Sequence, residues 1–490
     1  MATIPYEKRV EIISDERMEK YRPLCISYLQ ENISTIDEAT NRAIQAYNLG
    51  TITYGRASRL FDTFVNYEMP DTEYKLKNGE TIFISDSNLS SYMGGDYDDS
   101  TKLGIFDAYW GNVSQYKNTL ASLIETELME QYSNAQFYGY DNTRDLALDN
   151  LQLEQDIIQK IIDFAHKYSN TNIEYSKLYS STDGKYYTYG KMKRLSTYKP
   201  TYIEYDDGID EIIDALSVLG KEYIDTFKEI ITSGQVDVYP AENKASGALQ
   251  IGNFAGLNPF LMLNYKGTTS DVADIAHEMG HACYSKLTDE HTEMYYWNPP
   301  TFTQEVASIT NELIYYYYKI NNAKTDEERM YHIEQCLSRW TSDMINGCFW
   351  QEFENYCHEI VESGNHLDPD DLCDKWAQLT KEYYGEDVNL GQYGQYRWAT
   401  LKSIINNYYQ YSYATSICYA TVLSLKIINN EPNAVDNYLE FLKAGRSVSP
   451  AEALKIAGID IYGTNDYNDA FYQFAKLVNE LKELKNKYKM

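Results

Sequence analysis

Residues 270–281 read Ser-Asp-Val-Ala-Asp-Ile-Ala-His-Glu-Met-Gly-His, and the last five, His277-Glu278-Met279-Gly280-His281, decide how the chain is read. No proline interrupts Asp271 to Lys286, and Ser270 precedes it as a candidate N-cap, so the stretch predicts a helix. In a helix, residues i and i+4 lie one above the other on a shared face. His277 and His281 therefore offer two imidazoles to a single ion. Glu278, one position on, reaches a water on that ion without ligating it. This HExxH arrangement suits zinc, which takes imidazole nitrogen and keeps one position open in catalytic sites. Zinc lowers the pKa of its water to about 7, where a carboxylate accepts the proton.

A third protein ligand is required. Glu290, His291 and Glu293 lie in a polar stretch before Pro299-Pro300. Glu305 falls in the first turns of a new helix opening around Thr301 to Thr303, and rigid elements hold ligands better than loops do. Glu305 is thus the preferred ligand and His291 the second choice. Glu312, seven residues on along the same face, is placed to orient a ligand histidine from behind.

Outward from this segment the chain is mainly helical. Apolar residues recur at helical spacing from Asp107 to about Lys167, and residues 207–233 form an amphipathic helix stopping near Gly234. Asn78-Gly79 between Lys75 and Ile84 predicts a small hairpin. Between 235 and 266 the pattern changes: Val236 and Val238, Ala248 to Phe254, and Phe260 to Tyr265 read as short strands. A small sheet therefore precedes the metal segment directly. Residues 1–200 are expected to form an N-terminal helical lobe, and 201–490 the catalytic region. The uncharged run Ser403 to Leu425 is rich in Tyr, Asn and Ser, and reads as a buried helix rather than a membrane span.

Composition narrows the function classes. The 490 residues hold 43 Lys+Arg against 73 Asp+Glu, a formal net charge of −30, which leaves no basic stripe for nucleic acid. Seven scattered cysteines show no CxxC pair, so a disulfide framework is not expected and a cytoplasmic setting is. With 49 tyrosines, a single Tyr carries little information unless its position singles it out.

HEMGH, followed by Gln304-Glu305-Val306-Ala307-Ser308 and Asn311-Glu312, resembles the paired zinc-binding segments of the oligoendopeptidase F and thimet oligopeptidase family. Asp237-Val238-Tyr239-Pro240, Ser246-Gly247-Ala248 and Leu263-Asn264-Tyr265-Lys266-Gly267-Thr268 are similar to the run before that family's metal helix. Tyr383-Tyr384-Gly385, Tyr409 to Thr415 and Phe441-Leu442-Lys443-Ala444-Gly445 follow in the family's order. The resemblance covers roughly residues 105–465 and is specific from about 235 onward.

It implies a two-lobed helical zincin-like peptidase whose deep central channel admits short unstructured peptides to one zinc ion. It further implies that the strand at Gly247-Ala248 pairs with the substrate backbone. Tyr411 is implied as the donor to the developing oxyanion, with Tyr408 and Tyr409 beside the substrate. The family usually carries a histidine where this chain has Ser403, so a slower or narrower zinc endopeptidase is expected. The alternatives are a processing peptidase dedicated to one partner peptide, and a peptide-binding protein with weak catalysis.

Overall fold

Helices carry most of the chain, because its apolar residues recur at helical spacing over long stretches. The computed structural model describes residues 4–25, 56–153, 156–180, 186–187, 194–242, 244–245, 247–252 and 257–488. One hydrophobic core runs from Phe61 to Leu481 and takes in residues on both sides of position 200.

The expected hairpin pairs Thr72–Lys75 with Thr81–Ile84, and Gly79 turns it with φ of 90°. The helical spacing after Asp107 resolves into four helices, Asp99–Ser114, Lys117–Phe137, Thr143–Asn150 and Ile157–Lys167. The single helix expected over 207–233 is two, Tyr205–Leu216 and Gly220–Ile231. A short turn of 3-10 helix separates them, and Gly220 takes φ of 83°, outside the range a continuous helix needs.

The small sheet has Phe260–Met262 at its centre, parallel to Val236–Asp237 and antiparallel to Leu249–Ile251. Leu249–Ile251 is an edge strand, shorter than the expected Ala248 to Phe254, of which residues 253 and 254 fall outside the described ones. Gln250 Nε2 donates to Ser285 Oγ at 3.3 Å, and a Cβ on Gly252 would sit 2.8 Å from the Ser285 Cβ. This edge strand therefore lies along the helix that carries HEMGH.

That metal helix spans Thr269–His291. Its N-cap is Thr268 rather than the expected Ser270, which is the second helical residue. Thr268 and Asp271 form a reciprocal capping box, so the acid three residues on outweighs the nearer serine. The helix Thr301–Asn322 packs between the metal helix and the helix Gln410–Ile428. Gly280 marks the first of these crossings. A Cβ there would lie 2.5 Å from the Ser308 Cα and 2.9 Å from the Ala307 carbonyl oxygen. Both obstacles are backbone, so Gly280→Ala is expected to destabilise the fold by about 1–3 kcal/mol. Gly94→Ala, whose added Cβ meets nothing within 4 Å, should change little. Thermal unfolding of the two variants checks this, and equal melting temperatures would contradict the crossing constraint.

Candidate metal centre

The spacing of His277 and His281 places both rings on the face of the metal helix turned toward Thr301–Asn322. Their centroids are 4.9 Å apart. Glu305, in the second turn of the facing helix, projects its carboxylate between them. Its Oε2 lies 3.4 Å from His277 Nε2 and 3.6 Å from His281 Nε2. Two atoms each about 2.0–2.1 Å from a tetrahedral zinc stand about 3.3–3.4 Å apart. The Glu305 oxygen therefore already stands from each histidine nitrogen at close to the separation such an ion requires, and the three donor atoms all lie within 4.8 Å of one another.

Supporting groups fix these ligands from behind. His277 Nδ1 is 3.1 Å from Glu312 Oε2, two turns beyond Glu305 on the same helix. The two helices are further joined by Asn311, whose Nδ2 donates to the Ala276 carbonyl at 3.2 Å. Tyr223 holds that amide by donating to Asn311 Oδ1 at 2.9 Å. Behind Glu312 stands Arg339, with Nε 3.0 Å from Glu312 Oε2 and Nη2 3.2 Å from Asp343 Oδ2. Arg339 ends the helix Asp326–Trp340, and Asp343 lies in the π-helical turn Thr341–Asn346 that follows it. Sequence reasoning missed both. A lone Arg-x-x-x-Asp far along the chain carries no metal signature, and only the fold brings it to Glu312.

The electrostatics follow from burying many charges together. Burial alone would raise the Glu305 carboxyl, but His281 and His277 hold it below the usual range. Burial likewise opposes Glu312, and Arg339 and His277 outweigh it. For His277, burial is outweighed by Glu312 and Glu305, and its pKa rises to about 9. His281 has no such partner behind it, and burial pushes it down to about 4. A cation at this centre takes the place of the proton that the carboxylates otherwise draw to His277. Burial pushes Glu278 up to about 7, against the pull of His277, so it can both take up and release a proton near neutrality.

The tyrosines divide by face. Tyr413 donates a hydrogen bond to Glu305, and its hydroxyl lies 2.6 Å from that of Tyr409. Tyr411, expected at the oxyanion, is 2% exposed and lies toward Phe302, ring centroids 6.3 Å apart. Tyr408 precedes the helix and stacks on His358 in the core. Ser403 sits in the short 3-10 turn Lys402–Ile405, buried against Lys117–Phe137 and Gly347–Glu362. His291 ends the metal helix with Nδ1 on the Leu287 carbonyl, away from Glu305's partners.

Gly247 takes φ of 88°, and space is open where its Cβ would be. Asn264 Nδ2 donates to its carbonyl at 2.7 Å and to that of Ala245 at 2.8 Å. Gly247 and Ala248 line a cavity of about 150 Å³ with Asn264, Asp271, Asp274 and Ile275, one turn ahead of His277. A second carboxylate–histidine group, His166, Glu352 and Glu382, is an ion-pair cluster. There Glu352 Oε2 is already taken by His166 Nε2 at 2.7 Å and by the Tyr383 hydroxyl at 3.0 Å.

Known proteins share this arrangement of chain. Oligoendopeptidase F (plasmid form) of Lactococcus lactis subsp. cremoris is 30% identical over 439 residues, 88% of this chain and 71% of that protein. Oligopeptidase PepF of Bacillus subtilis strain 168 is 27% identical over 441 residues, and the match spans 89% of this chain but 65% of PepF. A crystal structure from Chlamydophila abortus superposes with a TM-score of 0.87 at 28% identity, covering 99% of this chain and 80% of its own. Oligoendopeptidase-F from Enterococcus faecium shares the fold, with a TM-score of 0.79 at 22% identity over 99% of this chain and 82% of its own. Residues 96–472 match the family model described as Peptidase family M3, a span that holds both ligand helices and the tyrosine helix. On that match the chain belongs to peptidase family M3.

Proposed function

We propose that the protein is a zinc-dependent endopeptidase that hydrolyses short, unstructured oligopeptides. The observation that carries this reading is the convergence of His277, His281 and Glu305, with the Glu305 oxygen 3.4 and 3.6 Å from the two histidine nitrogens, close to what a tetrahedral zinc asks. When bound, zinc supplies Lewis-acid polarisation and lowers the pKa of a water to about 7. The names of the relatives, oligopeptidase and oligoendopeptidase F, agree with this substrate class.

The chain's own residues perform the remaining steps. The free edge of Leu249–Ile251 accepts an extended peptide as an added strand. Because that strand runs along the metal helix, the peptide is laid across the three ligands, with Gly247-Ala248 at one end. Glu278 takes the proton from the attacking water and passes it to the leaving amine. Tyr413 and Tyr409, the hydroxyls beside Glu305, donate to the carbonyl oxygen as charge builds there. In this reading they take the role that the family resemblance implies for Tyr411. Ser403, where the family carries a histidine, leaves this side of the site with fewer donors and lowers or narrows the activity. Seven free cysteines fit a cytoplasmic setting, and among the described residues no helix is long and apolar enough to cross a membrane.

Glu278→Gln should retain zinc and lose turnover by about 10²–10⁴-fold. Mass spectrometry of a peptide library, with and without a chelator, reads the loss, and full activity in the variant would remove Glu278 as the base. Glu312→Ala should weaken zinc binding by about 10–100-fold, because His277 loses its orienting partner. Competition with a chromophoric chelator measures this. Tyr413→Phe is expected to lower kcat by about 10²–10³-fold with little change in KM, and Tyr411→Phe by far less. The opposite ranking would return the oxyanion role to Tyr411.

A further inference from the structure

The helix Gln410–Ile428 starts without a cap of its own: Tyr409 occupies the N-cap position and makes no side-chain hydrogen bond to the first turn. The approach to it is strained. Asn407 and Tyr408, neither of them glycine, take φ of 37° and 55° in succession. Each such residue costs of order 1–3 kcal/mol and persists only where its surroundings over-determine it.

Those surroundings come from the helix Gly347–Glu362, more than fifty residues earlier in the chain. Glu354, 1% exposed, accepts the Tyr408 backbone N–H on Oε1 at 2.7 Å. Gln351 Oε1 accepts the Tyr411 backbone N–H at 3.2 Å, and Gln351 Nε2 donates to Glu354 Oε2 at 3.1 Å. His358 backs the carboxylate, with Nε2 3.8 Å from Glu354 Oε1 and its ring stacked on Tyr408 at 4.9 Å. A buried carboxylate is costly to keep unless its acceptors are used. Here its hydrogen bonds go to the strained turn and to the amide that caps the tyrosine helix.

We propose that Glu354, working with Gln351, is a positioning residue for the reaction: it pins the turn that enters the tyrosine helix and holds the Gln351 amide that caps its first turn, and so sets where Tyr409 and Tyr413 stand over the metal centre. The inference rests on the peptidase reading above. Helix N-termini leave their first N–H groups unpaired, and a side-chain acceptor there fixes where the first turn begins. Tyr409 is the residue at that boundary. A shift of about 1 Å in a catalytic donor is worth as much as 10²-fold in rate.

The test compares Glu354→Ala, Glu354→Gln and Tyr409→Phe in the full-length, zinc-loaded chain. Glu354→Ala should lower kcat by about 10–100-fold, with KM within about twofold and zinc content unchanged. Glu354→Gln, which keeps an acceptor for the Tyr408 N–H, should recover most of that loss. In the Tyr409→Phe background, Glu354→Ala should cost little more, because both act through one hydroxyl. Fully multiplicative losses, or no recovery of kcat in Glu354→Gln, would overturn the positioning role. Should Glu354→Ala fail to fold, Gln351→Ala removes the cap on Tyr411 and carries the same comparison. A parent chain that cleaves no peptide with zinc bound would instead overturn the peptidase reading. The crystal structure of Glu354→Ala or Gln351→Ala then decides the positioning claim separately: an unmoved Tyr409–Tyr413 hydroxyl pair overturns it, and a displaced pair supports it.

Discussion

Two helices can share one ion only where their backbones approach without a side chain between them, and Gly280 makes that approach. Its α-carbon faces the backbone at Ala307 and Ser308, so the metal helix and the Thr301–Asn322 helix lie closer than any larger residue would allow. Glu305 is one turn away on the facing helix, and the two histidines flank Gly280 on its own. The closeness of the crossing thus sets the separations among the three donor atoms.

Burying so much charge at this crossing requires further charge behind it. Glu305 and Glu312 are both acidic and buried, so each needs positive charge close by. Arg339 answers Glu312, and Asp343 answers Arg339 on the far side. Outward from the ligands stand histidine, glutamate, arginine and aspartate in turn, and burial pushes the last of these, Asp343, up to about 7 against the pull of Arg339. Breaking such a chain by removing one member leaves an uncompensated buried charge, which costs more than the pair contributes. The π-helical turn Thr341–Asn346 fits this arrangement, since it carries Asp343 back toward Arg339 four residues earlier.

The parts of the fold that were legible in the sequence are those governed by local spacing. The i, i+4 histidines, Glu305 in the first turns of a new helix, Glu312 seven residues on and the Asn78-Gly79 hairpin each follow from a period or a turn type. Glu305 and Glu312 were chosen because both lie on one predicted helix, and the structure brings both to the histidines. Errors came where two local signals competed. Ser270 is a good cap residue, but Thr268 has Asp271 at the third helical position and so closes a reciprocal box. The amphipathic period across 207–233 continues through Gly220, so periodicity hid a break that backbone conformation makes plain.

The tyrosine side of the site was harder to read for a different physical reason. Which face a tyrosine occupies depends on where its helix begins, and that point is set by distant residues rather than by the local sequence. Tyr408 falls inside the helix read over Ser403 to Leu425, yet that helix begins only at Gln410, and Tyr408 takes a left-handed conformation held by Glu354 and stacks inward on His358. The i, i+4 spacing places Tyr409 and Tyr413 together, but it does not show that this pair stands beside Glu305. Tyr411 turns to the core because its neighbours on that side are Phe302 and the Gln351 amide. The three clustered side chains His277, His281 and Glu305 are therefore specified within two consecutive helices, while the tyrosine face is specified by contacts between helices far apart in the chain. Ser403 belongs to neither ligand helix: it sits in a separate 3-10 turn packed against Lys117–Phe137 and Gly347–Glu362.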